Sequence, residues 1–231
     1  FDGCSGFTSI AVEGSNSSYY DKGCAIIEAA DNRLVHGCKN TIIPDGVTSI
    51  GKWAFYNCAE PTNIIMPESI RDIEEFAFFK CTGLTGIIIP QNTATIGKYA
   101  FYQCNRLQSV TIPAGMKSIG DGAFFECKEI GNIYSHSKRP ASIEERTFDG
   151  IHDTATLYVP TGTKEIYQAA PYWCNFTNII EKDFGNSSDI TPIADDDENT
   201  HSPIYDLQGR QVKQMLKGGI YIRNGKATLY Q

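Results

Sequence analysis

The reactive side chains of this 231-residue chain are eight cysteines, four histidines and a few paired carboxylates. Cys58, Cys81, Cys104 and Cys127 recur at a spacing of 23 residues. None of His36, His136, His152 and His201 shares that period, so the sequence does not indicate a Cys/His nucleophile pair. No close Cys/His spacing suits a metal. Glu74-Glu75 and Glu144-Glu145 fall at variable positions, where a solvated face accounts for them better than acid/base work. A phosphate-cradling glycine loop is also lacking. The expectation is a non-enzymatic protein with no catalytic residue, no metal and no cofactor.

What remains is recognition, and two sets of periodic residues suit it. Trp53, Phe76 and Tyr99 form one aromatic column, broken at Gly122; Tyr56, Phe79, Tyr102 and Phe125 form another three residues on. Aligned rings can stack on sugars or anchor a protein, or each ring can pack on the next and stabilise the array. The second set is Ile42, Ile65, Ile88, Thr111 and Tyr134, beside Asn40, Asn63, Gly86, Ser109 and Asn132. It is an uncharged, partly apolar stripe, although β-branched residues also serve strand propensity alone.

These residues must be positioned by a repeat. Pro44, Pro67, Pro90 and Pro113, Ile50, Ile73, Ile96 and Ile119, and the Ala-Phe pairs beginning at Ala54, Ala77, Ala100 and Ala123 all keep the 23-residue period. A fixed period of this length predicts a solenoid, in which each unit buries its apolar face only by stacking on its neighbours. Strands are expected at Thr41–Ile43, Asn63–Met66, Gly86–Ile89, Ser109–Ile112 and Asn132–Tyr134. Alternation turns Ile64, Ile87, Val110 and Ile133 inward, followed by Met66, Ile89 and Ile112, and turns the uncharged stripe outward. Curved solenoids bind in their concavity, which favours that stripe. The Ala-Phe-x-x-Cys segment reads as a 3₁₀ or α-type turn. Periodic cysteines project in parallel from successive coils, which predicts a ladder of buried thiols. Cys24 and Cys38 lie symmetrically about Asp31, where they could face each other as a bridge or remain thiols.

The flanks are less regular. Phe1-Asp2-Gly3-Cys4 repeats the F-x-x-C half of a unit, so the sequence is expected to start inside a repeat with any export segment upstream. A strand is expected near Thr8–Val12. A hairpin insertion at about 13–39 should pair 24–29 with 33–38 and cover the side of the solenoid. Leu157–Pro160 reads as the last strand, and Thr163–Ala170 as a short helix capped by Thr163. With Tyr172, Trp173 and Phe176 this makes a cap over about 157–181, closing a solenoid of 1–181. Residues 182–202 read as an acidic linker, and 203–231 as a small antiparallel β module with turns at Gln208-Gly209, Lys217-Gly218-Gly219 and Asn224-Gly225. The net charge of −7 argues against nucleic acid as a partner, and no apolar run is long enough to span a membrane.

The units Val47–Cys58 and Thr93–Cys104 resemble the BspA-like leucine-rich repeats of secreted and surface proteins of anaerobic bacteria, as does Cys38–Thr41 leading into Ile43-Pro44. The tail, Tyr205–Val212 with Gly218–Lys226, resembles the C-terminal sorting-type module of Bacteroidetes exported proteins. The resemblance implies a mainly β, right-handed leucine-rich-repeat solenoid with short helical turns. It also implies a secreted or cell-surface location and an adhesive or interaction role without enzymatic activity, and it carries no binding residue across. The expected partner is a macromolecule such as a host matrix protein. The alternatives are a carbohydrate-binding module using the aromatic column, or a structural spacer.

Overall fold

The computed structural model describes residues 9–59 and 64–184, together with the strand backbones 204–206, 211–212, 220–223 and 226–229. Two compact units divide the chain, 1–183 and 184–231. In chain order the first contains β1 (Tyr19–Asp21), β2 (Ala25–Glu28), β3 (Arg33–Gly37), β4 (Ser49–Ile50), β5 (Asp72–Ile73), β6 (Gly86–Ile88), β7 (Thr95–Ile96) and β8 (Ser109–Ile112). Then come β9 (Ser118–Ile119), β10 (Asn132–Ser135), β11 (Ser142–Ile143), β12 (Thr156–Pro160), the helix α1 (Lys164–Ala169) and β13 (Asn178–Lys182).

Strands of two to five residues cannot hold themselves; they form because the same segment of the next coil lies one strand spacing away. Two sheets result, in the orders β1-β2-β3-β4-β5-β7-β9-β11 and β13-β12-β10-β8-β6. From β3 onward the pairs are parallel, and the register repeats the period: Ile50, Ile73, Ile96 and Ile119 are partners in turn. The mainly β solenoid expected from the repeat is therefore what the chain forms.

The inward residues make one continuous core. Ile64, Ile87, Val110 and Ile133 are buried, as are Met66, Ile89 and Ile112. At its centre Phe55, Phe78, Phe101, Phe124 and Phe148 stack face to face, with centroids 5.0 to 5.3 Å apart and planes within 4° of parallel. A Cβ on Gly37 would fall inside the Phe55 ring, so the first ring of the ladder needs glycine beneath it.

The Ala-Phe segments are hydrogen-bonded turns that never propagate as a 3₁₀ or α helix. Ala54, Tyr56 and Cys58 each donate to the residue three back, but Trp53 and Asn57 adopt left-handed backbone conformations that break the run. The intervening amides point to the next coil: Phe55 donates to Ala77, Phe78 to Ala100 and Phe101 to Ala123. Phe76, Lys80, Tyr99, Gln103 and Glu126 repeat the left-handed positions.

Several flanking expectations change. Residues 9–12 form no strand, and β1 precedes the hairpin. The hairpin does not cover the side of the solenoid: β3 runs parallel to β4 and takes the place of a preceding coil, with β2 and β1 extending the same sheet. Cys24 and Cys38 are bridged, with Cα atoms 6.2 Å apart. Residues 41–43 and 64–66 are not strands, and the Ile42 amide donates to Gly23 in the insertion, away from the neighbouring coil.

At the other end a strand follows Leu157–Pro160: β13 pairs in parallel with β12 over five residues. Thr163 does not cap α1 through its side chain, because its hydroxyl donates back to the Pro160 carbonyl. The Glu181 carboxylate instead accepts the Lys164 amide, and the Lys164, Gly162 and Thr163 amides hold its pKa below the usual carboxylate range. Trp173 and Phe176 cover the last core ring, Phe148, and Tyr167 packs edge-on against Trp173, with Tyr167 and Trp173 anchored by their polar tips. The Trp173 indole donates to Ala141, and the Tyr167 hydroxyl bonds Ser135 and the Ser137 carbonyl.

In the second unit four strands, β14 (Ile204–Asp206), β15 (Gln211–Val212), β16 (Ile220–Arg223) and β17 (Lys226–Leu229), make an antiparallel sheet of order β15-β14-β16-β17. This is the antiparallel β module expected from the sequence. The three turns predicted within it, most of the acidic linker and Cys4 lie outside the described residues.

Candidate functional site

The period places three kinds of residue in columns, and each column does something different. The thiols are interior. Cys81, Cys104 and Cys127 donate to the carbonyls of Phe55, Phe78 and Phe101 at 2.9 to 3.2 Å, binding each coil to the one before. Burial pushes the Cys58 thiol up to about 11 and those of Cys81 and Cys104 well above the ordinary range. Thiolates are the reactive form, so these groups are inert. Cys58, Cys81, Cys104 and Cys127 remain free, as does the exposed Cys174.

The aromatic columns lie along the turn edge and are occupied with one another. Trp53 stacks on Phe76 at 4.1 Å and Phe76 on Tyr99 at 5.5 Å; Tyr56, Phe79 and Tyr102 form a parallel stack beside them. Lys52 and Lys80 approach Phe76 and Phe79, while Lys98 and Arg146 approach Tyr99. Trp53 is 36% exposed, and the other five are half-buried. The column breaks at Gly122, where the Tyr99 ring occupies the space a Cβ would take; the left-handed backbone there is shared by Trp53, Phe76 and Tyr99. The paired carboxylates serve this edge too: Glu75 pairs with Lys52, and Glu74 accepts the Lys52 amide and faces Arg33.

The outward stripe is different. Ile88, Thr111, Tyr134, Tyr158 and Ile180 are in direct register across five parallel strands. Ile42 and Ile65 hold the same position in earlier coils and are 76% and 61% exposed; Ile180, at the far end, is 41% exposed. Gly86, Ser109, Asn132, Thr156 and Asn178 form a second in-register row beside them, without a charge. Tyr134 and Tyr158 stack at 4.9 Å, with Lys182 Nζ 4.9 and 5.4 Å from their centroids. Of the predicted residues, the fold brings Ile88, Thr111 and Tyr134 onto this face, with Ile65 exposed at the equivalent repeat position outside the sheet; Trp53, Phe76, Tyr99, Tyr56, Phe79 and Tyr102 form the separate turn-edge cluster.

Tyr158 and Ile180 belong to the same face but break the period, which lengthens and then shortens after Tyr134. Their signal was local: Asn178-Ile179-Ile180 repeats Asn63-Ile64-Ile65, and Leu157-Tyr158 echoes Ile133-Tyr134.

Parallel coils with two short strands and an Ala-Phe turn, stacked on a shared core, define a leucine-rich-repeat solenoid. Residues 35–139 match the BspA type leucine rich repeat region in six copies. Among solved structures, the pneumococcal vaccine antigen PcpA aligns at 19% identity and a TM-score of 0.57, over 75% of this chain and 50% of that one. A leucine-rich repeat protein from Eubacterium ventriosum aligns at 15% identity and a TM-score of 0.50, over 68% of this chain and 50% of that one. The chain thus spans half the length of both, and at these identities the likeness is one of fold. No curated protein matches the sequence. Among the described residues, no helix is long and apolar enough to cross a membrane.

Proposed function

We propose that this chain is a non-enzymatic interaction module of an exported, surface-associated protein, and that it binds a macromolecular partner through the outward face of the five-stranded sheet. The observation that carries this reading is the uncharged, in-register row Ile88, Thr111, Tyr134, Tyr158 and Ile180, half-buried along its middle and exposed at Ile180, with the exposed Ile65 and Ile42 at the same repeat position in earlier coils. Exposed isoleucines repeated at one register position gain nothing from water, and a contiguous apolar patch of this kind marks a contact surface.

The turn-edge aromatics are better explained as stabilisers, since their rings stack on one another from coil to coil. Three supports favour export. The Cys24–Cys38 bridge suits an oxidising compartment. A structural neighbour is described as a vaccine antigen. The tail resembles sorting-type modules.

The test is a screen of the full chain against immobilised extracellular-matrix proteins and a glycan array. A variant carrying Ile65→Ser, Ile88→Ser and Tyr134→Ser is compared with one carrying Trp53→Ser, Phe76→Ser and Tyr99→Ser, each checked for folding. Saturable binding lost only in the first variant is the expected result. Binding lost only in the second would move the site to the turn edge, and the absence of any binding would favour a spacer.

A further inference from the structure

The tyrosine stack on the outward face stops one place short. Tyr134 and Tyr158 lie 4.9 Å apart with planes 14° from parallel, which equals the spacing of their strands. Each ring therefore stands upright and fills the width of one strand. On the next strand the register partner of Tyr134 is Thr111, and beyond it Ile88. The Tyr134 face turned away from Tyr158 thus looks over a short side chain. The gap between it and Ile88 is two strand spacings, or roughly 9.6 Å between side-chain axes. That is room for one further ring, floored by Thr111.

The polar groups around this gap are also open. Among the described residues, the Ser109, Thr111 and Asn132 side chains hold no hydrogen bond. In contrast, two strands on, the Asn178 amide donates to the Thr156 hydroxyl at 2.8 Å. Ser109 and Asn132 are register partners beside Thr111 and Tyr134, and both are half-buried. One ring face and three neutral hydroxyl or amide groups thus converge; among the described residues the one cation at this ring, Lys182 Nζ, lies 4.9 Å from the Tyr134 centroid and 5.4 Å from the Tyr158 centroid, beside the stacked pair. A pyranose matches this set: its C–H face packs on an aromatic ring while its edge presents hydroxyls that donate and accept. A partner's phenyl or proline ring would fill the same width, but would leave the three polar groups at its rim unanswered.

We infer that the space over Thr111, between Tyr134 and Ile88, is a subsite for one neutral pyranose residue of a glycan, with Tyr134 as the stacking platform and Ser109, Thr111 and Asn132 as hydroxyl partners. The inference rests on the outward face being the binding surface and names the class of ligand for it.

The decisive variant is Thr111→Tyr. It places a third ring in the geometry that Tyr134 and Tyr158 already adopt, so it fills the subsite while keeping the sheet. Tyr134→Ala removes the platform, and Ser109→Ala with Asn132→Ala removes hydroxyl partners. The full chain is titrated calorimetrically with cellopentaose, laminaripentaose, mannopentaose and chitopentaose, alongside the matrix-protein screen. The expected result is saturable binding of at least one oligosaccharide, weakened tenfold or more by Thr111→Tyr and Tyr134→Ala and several-fold by the polar pair. Trp53→Ser should leave it unchanged. Sugar binding that survives Thr111→Tyr overturns the subsite. So does a parent chain that binds none of the four at millimolar concentration. If a matrix protein nonetheless binds and is lost with Ile65→Ser, Ile88→Ser and Tyr134→Ser, the face stands and only the sugar assignment falls.

Discussion

Replacing Phe101 with alanine tests what holds the coils together. Phe101 is fully buried and stacked on both faces, with Phe78 at 5.0 Å and Phe124 at 5.1 Å. Truncating a buried phenylalanine costs about 3–5 kcal/mol, depending on how far the surroundings collapse. Collapse is restricted here. The flanking backbone is tied coil to coil by the Phe78 and Phe101 amides, at 2.7 and 2.8 Å from the Ala100 and Ala123 carbonyls. The loss should therefore sit near the top of that range, at about 4–5 kcal/mol. Two aromatic contacts account for roughly 1–3 kcal/mol of it. Phe101→Leu keeps most of the volume without a flat face and should cost about 1–2 kcal/mol. Urea unfolding followed by tryptophan fluorescence gives the totals. Because a repeat array need not unfold in one step, amide exchange by mass spectrometry should accompany it. Protection should fall first in the coils containing Phe78, Phe101 and Phe124, with the Tyr167–Trp173 cap falling later. A Phe101→Ala cost below about 2 kcal/mol, or an even loss of protection along the solenoid, would refute the stacked-ring account.

Other expectations follow from the same geometry. Gly122→Ala should destabilise by more than about 2 kcal/mol, through its left-handed backbone and the Tyr99 ring over it; a thermal melt checks this. Cys104→Ala should cost only about 1–2 kcal/mol, because the Phe78 carbonyl that accepts its thiol also accepts the Cys81 amide; urea midpoints read the difference. The folded state favours neutral thiols at Cys58, Cys81 and Cys104. Their contribution is complete below the ordinary thiol pKa of about 8.5 and is lost as pH rises towards the raised folded values, about 11 for Cys58. Urea midpoints should accordingly decline above that pH, less steeply in Cys104→Ala. Mass-mapped alkylation of the native protein should modify Cys174 promptly and the four periodic cysteines only on unfolding.

The repeat made the core legible: period fixed the register, and alternation assigned Ile64, Ile87, Val110 and Ile133 inward without any structure. It also placed Ile65, Ile88, Thr111 and Tyr134 outward. What it missed has physical causes. The left-handed positions at Trp53, Phe76 and Tyr99 carry bulky residues instead of glycine, so no glycine or asparagine signal announced them. Thr163 had the residue type of a cap, but its hydroxyl found the Pro160 carbonyl nearer, and the carboxylate that does the work lies 17 residues on in Glu181. Strand β13 was obscured because the chain passes through α1 and the aromatic cap before returning to the sheet. The insertion resembled an appendage because antiparallel pairing within it is local, whereas its parallel pairing with β4 is not.

The coil-to-coil hydrogen bonds have a consequence for the length of the protein. Along the short strands the Thr48, Arg71 and Ala94 carbonyls accept the Arg71, Ala94 and Lys117 amides of the next coil, and along the turns the Ala77, Ala100 and Ala123 carbonyls accept the Phe55, Phe78 and Phe101 amides of the coil before. Excising residues 86–108, one whole period, would join Thr85 to Ser109 in the setting Gly86 has now, and these repeated backbone amides would meet equivalent carbonyls. Excising any number that is not a multiple of the period would shift Ala, Phe and Cys off their columns together. Length is thus free to vary in units of one coil without moving a column. The reach of the outward face can change in steps of one strand while its cross-section stays the same.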